Sequence, residues 1–178
     1  MVHSNTMSND TPRFSVIIPA YDEEAFLPAS LKAVKRAITQ LGESVEIIVV
    51  DNESHDRTVD VAREHGALVV TEPAKCLSRI RNAGAGAARG QYLVFIDADS
   101  MMSDNMLVEI RCVMESGKYV GGGVLDVRPD RWSLGIFMHG VLLGIVFLLF
   151  WDRLSLCLFY TTRETFWAVG GFNEELYA

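Results

Sequence analysis

Four short apolar runs, each separated by polar or glycine-containing stretches, set the rhythm of the chain. Residues 14–19 (FSVIIP), 45–50 (VEIIVV), 67–70 (ALVV) and 91–96 (QYLVFI) are rich in β-branched and aromatic side chains and too short for buried helices, so they predict strands. Between them the apolar positions change to helical spacing. Asp22, Glu23 and Glu24 predict an acidic helix start leading to Leu41, and residues 56–65 with Gly66 behind them predict a helix and its C-terminal stop. Residues 75–89 predict a loop entering a helix, residues 106–114 a further helix, and residues 119–127 a strand preceded or interrupted by Gly121, Gly122 and Gly123. Strands alternating with helices predict an α/β domain built on a mainly parallel sheet with helices on both faces.

In such sheets the ligand crevice lies outside the carboxyl ends of the strands. Residues 21–24 follow the first run, 51–54 the second and 97–100 the fourth, so three acidic or polar loops are expected to converge on one sheet edge.

Composition narrows the ligand. A chain of 178 residues, 49% hydrophobic and 22% charged, supports one globular domain over residues 13–178 behind a flexible tail of residues 1–12, and excludes wholesale disorder. The net charge of -7 provides no broad cationic face, which argues against nucleic acid as a partner and means that a polyanionic ligand needs local help such as a metal ion. Cys76, Cys112 and Cys157 are far apart and odd in number, and they read as buried thiols in a reducing compartment. The polar N-terminus lacks the basic start and apolar run of a secretory signal, which predicts a cytoplasmic protein.

Asp97 and Asp99 flank Ala98 at a strand end. Two carboxylates held that close repel unless a cation or proton lies between them. A hard divalent ion, Mg²⁺ or Mn²⁺, takes one or two carboxylates and completes its shell with substrate phosphates. Three plainer or rival readings stand beside this. One aspartate could cap the next helix while the other is solvated. FIDAD (95–99) could also be the nucleophile and acid/base of a haloacid dehalogenase-like phosphatase, although that motif usually opens its domain. Residues 51–54 could form only an Asx turn and helix cap. GAGAARG (84–90) is not a dinucleotide loop, because Arg89 interrupts the glycine pattern and no strand directly precedes it.

Together the motifs resemble the family 2 glycosyltransferases of the GT-A, Rossmann-like fold. SVIIPAYDEE (15–24), EIIVVDNESHDRT (46–58), RNAGAGAARGQYLVFIDADS (81–100) and RETFWAVGGFNEEL (163–176) match in order across nearly the whole chain. The resemblance implies a nucleotide-sugar donor linked through UDP or GDP, with Mg²⁺ or Mn²⁺ bridging its diphosphate. It implies that Pro19, Ala20 and Tyr21 line the nucleobase with Glu23 in the same site, that Asp51 or Asn52 bonds the base edge, and that Arg81 approaches the base or diphosphate. Asp97 and Ala98 would face the nucleoside or donor sugar, Asp99 with Asp97 would hold the metal, and Gly170, Gly171 and Phe172 would border the sugar. The family often has aspartate where this chain has Asn52, which leaves the choice of nucleotide open. Transfer with inversion requires a carboxylate to deprotonate the acceptor hydroxyl. The family places that base in an acidic pair shortly after the glycine motif, so the base is expected beyond Ala178, the domain is expected to be truncated there, and Glu174 and Glu175 are poor stand-ins. The acceptor is unknown, with a lipid-linked one in view. A non-catalytic nucleotide-binding module is the remaining alternative.

Residues 132–151 (WSLGIFMHGVLLGIVFLLFW) carry no charged side chain and are long enough for a bilayer span. A single crossing there would put the DxD and glycine motifs on opposite sides of a membrane. A buried helix, a homodimer interface, or a surface dipping into the cytoplasmic face of the membrane with Trp132 and Trp151 as anchors is therefore expected instead. His139 reads as a core or interface histidine.

Overall fold

The computed structural model describes residues 11–124 and 158–175, together with positions 133, 135, 138, 141 and 142. Among these residues six strands form one sheet: β1 (Phe14–Ala20), β2 (Val45–Asp51), β3 (Leu68–Thr71), β4 (Tyr92–Ile96), β5 (Gly121–Val124) and β6 (Leu158–Thr162), in the order β3-β2-β1-β4-β6-β5. The first four are parallel, with Ile17 level with Ile48 on one side and Phe95 on the other. β6 runs antiparallel to β4 and β5 antiparallel to β6.

Helices α1 (Leu27–Leu41), α2 (Thr58–Glu64) and α4 (Met106–Glu115) cover one face, and α3 (Leu77–Ala87) and α5 (Arg163–Ala168) the other. The pleat of β1 divides between them. Phe14, Val16 and Ile18 pack with Leu31 and Val34 of α1 and Leu107 and Ile110 of α4, while Ile17 packs with Ile80 of α3 and Phe166 of α5. Burial on both faces is why these strands read as continuous apolar runs. A fully buried side chain such as Leu31 contributes about 1.5–3 kcal/mol. The alanine and glycine content of α3 lets it lie close on the sheet: a Cβ on Gly84 would sit 2.4 Å from Ile17 Cγ2 and 2.8 Å from Val50 Cγ2. GAGAARG thus lies mostly within a packed helix and serves its contact with the sheet.

Several expectations need correction. The antiparallel strand β6 was not foreseen. Asp22, Glu23 and Glu24 do not start α1, which begins at Leu27 with Pro28 in its first turn; the acids lie in the preceding loop, where their backbone N–H groups are bonded to side chains of the β2–α2 connection and of Thr58 at the start of α2. Cys112 is exposed rather than buried, while Cys76 is buried. The strand expected over 119–127 is realised as Gly121–Val124, residues 125–127 lying outside the described residues. Also outside them are residues 1–10, Cys157, His139 and most of 132–151. Met138, Val141 and Leu142 of that segment are helical and exposed, and no helix among the described residues is long and apolar enough to cross a membrane.

Candidate active site

The loops after β1 and β2 are laced into one unit at the carboxyl edge of the sheet. Asp22 N–H donates to Ser54 Oγ at 3.1 Å, and Asp22 Oδ1 accepts from His55 N–H at 2.6 Å. Glu24 does the same one turn on, its N–H donating to Asp56 Oδ2 at 2.9 Å and its Oε2 accepting from Arg57 N–H at 3.0 Å. Glu23 N–H donates to Thr58 Oγ1 at 2.7 Å. Asp22 and Glu53 adopt left-handed backbone, φ 53° and 58°, which these reciprocal bonds hold in place.

Asp51 and Asn52 are buried at this edge. Asp51 Oδ1 accepts from Ser54 N–H at 3.2 Å, the local turn bond expected of that residue type. Asn52 Nδ2 donates to Glu72 O at 2.5 Å and Ala74 O at 3.0 Å, so its amide hydrogens clamp the segment after β3. A base-edge role for Asn52 is thereby limited to its carbonyl oxygen. Pro19 is half-buried and Ala20 buried, whereas Tyr21 is 44% exposed, with Lys75 Nζ 5.8 Å from its ring centroid and His55 edge-on at 6.2 Å.

β4 delivers the third loop. Asp97 Oδ1 accepts from Arg81 Nη2 at 3.1 Å, Ala98 is buried, and Asp99 is exposed, its carboxylate accepting among the described residues from Ser100 Oγ alone, at 3.5 Å. Burial pushes the Asp97 carboxyl above its ordinary range; Arg81 opposes this through charge and hydrogen bonding, and Asp99 adds to it. Burial also raises Glu23, with repulsion from Asp99 and then Asp56 adding to it, so the first and third loops are in electrostatic reach. Among the described residues no group of three or more His, Cys, Asp or Glu side chains is arranged to hold a metal by itself. The pair Asp97 and Asp99 fits an ion that draws its remaining ligands from a phosphate substrate and water.

Arg81 ties this loop to the glycine motif. Its guanidinium lies 5.8 Å from the Phe159 ring centroid and 5.6 Å from that of Phe172, and its Nε has no hydrogen-bond partner among the described residues. Phe95, Phe159, Phe166 and Phe172 form the aromatic bed beneath, with Phe95 stacked on Phe159 at 4.4 Å. Gly170 and Gly171 have φ of +89° and +73°, a turn that brings Phe172 back over α3. An open cleft of about 540 Å³ lies here, lined in part by Asn82, Gly171, Phe172 and Glu174.

The structure therefore joins Arg81 to both Asp97 and Phe172, places Glu23 within electrostatic reach of Asp99, and spends the Asn52 amide hydrogens elsewhere. Asn82 and Phe159 were missed. An asparagine inside a helix carries no site signal when its partners are distant backbone groups, and Phe159 lies on the unforeseen strand.

The profile of glycosyl transferase family 2 matches residues 15–159. An undecaprenyl-phosphate 4-deoxy-4-formamido-L-arabinose transferase of Aeromonas hydrophila is 30% identical over 135 residues, covering 70% of this chain and 40% of that protein. The chain thus spans less than half the length of this curated relative. Among solved structures, the mannosyltransferase PcManGT from Pyrobaculum calidifontis, in complex with GDP-Man and Mn²⁺, superposes with a TM-score of 0.68 at 20% identity, over 92% of this chain and 48% of that one. Glucosyl-3-phosphoglycerate synthase from Mycobacterium tuberculosis, in complex with Mn²⁺, UDP and glucosyl-3-phosphoglycerate, gives 0.63 at 21% identity, over 86% and 57%. At these identities the structural likeness is one of fold, the GT-A fold, and the sequence match assigns the family. The chain belongs to glycosyl transferase family 2.

Proposed function

We propose that this chain forms the donor-binding part of a glycosyltransferase that takes a UDP- or GDP-linked sugar with Mg²⁺ or Mn²⁺ and transfers the sugar, with inversion, to an acceptor hydroxyl. The observation that carries the reading is the meeting of Arg81, Asp97 and Phe172 beside the exposed Asp99 at the carboxyl edge of a sheet of this family. The solved neighbours bound to GDP-Man or UDP with Mn²⁺ support a diphosphate donor and a divalent ion.

Asp99, with Asp97, would hold the ion, which when bound supplies positive charge to the departing diphosphate. Arg81 favours the ionised form of Asp97 against the effect of burial and holds its carboxylate at 3.1 Å, and the Phe172 ring lies against the Arg81 guanidinium. Tyr21, exposed beside Pro19 and Ala20, offers the nucleobase a flat apolar face. Gly170 and Gly171 would border the sugar. The Glu174 carboxylate is occupied by Asn82, which leaves the acceptor base to another group. A lipid-linked acceptor at the cytoplasmic face of the membrane suits the apolar residues 132–151 and the relative named for undecaprenyl phosphate. The phosphatase alternative loses ground on Asp97, whose Oδ1 is engaged by Arg81 instead of standing free as a nucleophile.

Calorimetric titration with UDP and GDP, with and without Mn²⁺, tests the reading. Binding should require the metal and weaken at least about tenfold in Asp99→Asn, the loss of one charged ligand contact. Binding indifferent to both metal and substitution would overturn it.

A further inference from the structure

We propose that Asn82 is a positioning residue: it fixes the glycine turn so that Phe172 and Glu174 stand at a set distance from the Arg81–Asp97 pair. The inference rests on the functional reading above. Asn82 lies next to Arg81 in α3, so one stretch of helix carries both contacts. Its side-chain amide bonds residue 172 at two points, as a neighbouring strand would: Oδ1 accepts from Phe172 N–H at 2.9 Å and Nδ2 donates to Phe172 O at 3.0 Å. Nδ2 also donates to Glu174 Oε1 at 2.8 Å. Three bonds from one amide use both of its donors and its acceptor in a single geometry.

The surroundings leave the turn little alternative. Gly171 sits so close that a Cβ there would lie 2.9 Å from Asn82 Oδ1, in a backbone conformation that L side chains rarely adopt. Beyond the turn, the Glu174 carbonyl lies 3.8 Å from Cys76 Sγ and its carboxylate 3.9 Å from Arg79 Nε, both groups belonging to the start of α3 or the residue before it. The Phe172 ring, held by its own backbone, is one of the two faces on Arg81. A shift of residue 172 therefore moves a wall of the donor site without touching the laced loops at Asp22–Glu24, residues 51–58, that the nucleotide reading uses.

The test compares Asn82→Leu, Asn82→Asp and Asn82→Asp with Glu174→Gln in the intact protein. Hydrogen exchange at the Phe172 amide should speed up in Asn82→Leu while β4 amides stay as protected as before. UDP or GDP affinity in the presence of Mn²⁺ should stay within about twofold, while kcat, measured as nucleoside diphosphate release from a panel of UDP- and GDP-sugars, falls up to about 100-fold, the effect of an ångström-scale misplacement. Asn82→Asp sets two carboxylates against each other, and adding Glu174→Gln restores a donor, so the double variant should recover part of the lost kcat. Unchanged exchange at Phe172, an affinity loss that matches the kcat loss, or absence of recovery in the double variant would each overturn the role. Nucleotide binding by the wild-type protein that is indifferent to Mn²⁺ would sink the functional reading, and this role with it; where the chain alone shows no turnover, exchange at the Phe172 amide decides the role.

Discussion

Replacing Arg81 by methionine should cost about 2–3 kcal/mol, and the cost should depend on pH. The substitution keeps an unbranched apolar stem in a side chain that is only 12% exposed, so little packing is lost. What disappears is the 3.1 Å bond to Asp97 and the two ring contacts. Charge-assisted bonds contribute about 1.5–3 kcal/mol when shielded; Asp97 is 38% exposed, which screens this toward about 1 kcal/mol. Each cation–π contact adds about 0.5–1 kcal/mol. For a chain of this size the midpoint of thermal unfolding should fall by roughly 4–12 °C.

The charge part has a definite sign. Arg81 lowers a carboxyl that burial has raised, so its benefit is present while Asp97 is ionised and is lost as pH falls through that raised range. The deficit of Arg81→Met should therefore narrow by about 1 kcal/mol between about pH 7 and about pH 4. A double-mutant cycle with Asp97→Asn at neutral pH should return the same coupling. Urea unfolding monitored by tryptophan fluorescence reads both. A deficit equal at the two pH values, together with zero coupling, would show that Arg81 acts by packing alone and refute the electrostatic account.

Two further outcomes follow from the same structure. Glu46 lies at the opposite end of the sheet; burial pushes its carboxyl up, but hydrogen bonds from Ser15 Oγ and from the Arg89 N–H and side chain, with the Arg89 charge, hold it below its ordinary value. Its contribution is present above the ordinary glutamate range and lost as pH falls through the lowered value, so Glu46→Gln should flatten the acid limb of the stability profile below about pH 4.5; an unaltered limb in acid unfolding would refute this. Asp99→Asn should raise the stability of the ligand-free protein by up to about 1 kcal/mol at neutral pH, because it relieves repulsion on Glu23 and Asp97, and a lowered unfolding midpoint would contradict it.

The sequence disclosed the parallel half of the sheet because β1, β2 and β4 are buried on both faces and such strands leave short apolar runs, and the less buried β3 shows as a similar short run at 67–70. β6 left no such trace. Leu158 and Phe159 follow an apolar stretch with no glycine, proline or asparagine close by to mark where one element stops. The start of α1 was misplaced for a different reason: acids before an apolar periodic segment usually favour a helix N-terminus, but here the competing partners at Ser54, Asp56 and Thr58 took the backbone N–H groups of Asp22, Glu23 and Glu24. Topology alone put Asp97 and the first two loops on one edge. The contact of Asn82 with Phe172 spans 90 positions and joins a side chain to backbone, so residue type at Phe172 gives no hint of it.

The acids at that edge divide by what they bond. Asp22, Glu24, Asp51 and Asp56 each accept from a backbone N–H, which neutralises them locally and fixes the loops. Among the described residues the Glu23 carboxylate has no such donor, Asp99 has only Ser100 Oγ at 3.5 Å, and Asp97 has Arg81. The negative charge left uncompensated is therefore concentrated in Glu23 and Asp99, which repel each other across the first and third loops. That repulsion opposes folding, and no cation among the described residues is paired with either carboxylate. A site that keeps this charge unpaired while Asp22, Glu24, Asp51 and Asp56 are laced to backbone retains its affinity for a ligand that brings positive charge with it. On these grounds Asp99, more than the acid-rich loops that surround it, is the residue whose removal should separate nucleotide binding from the fold.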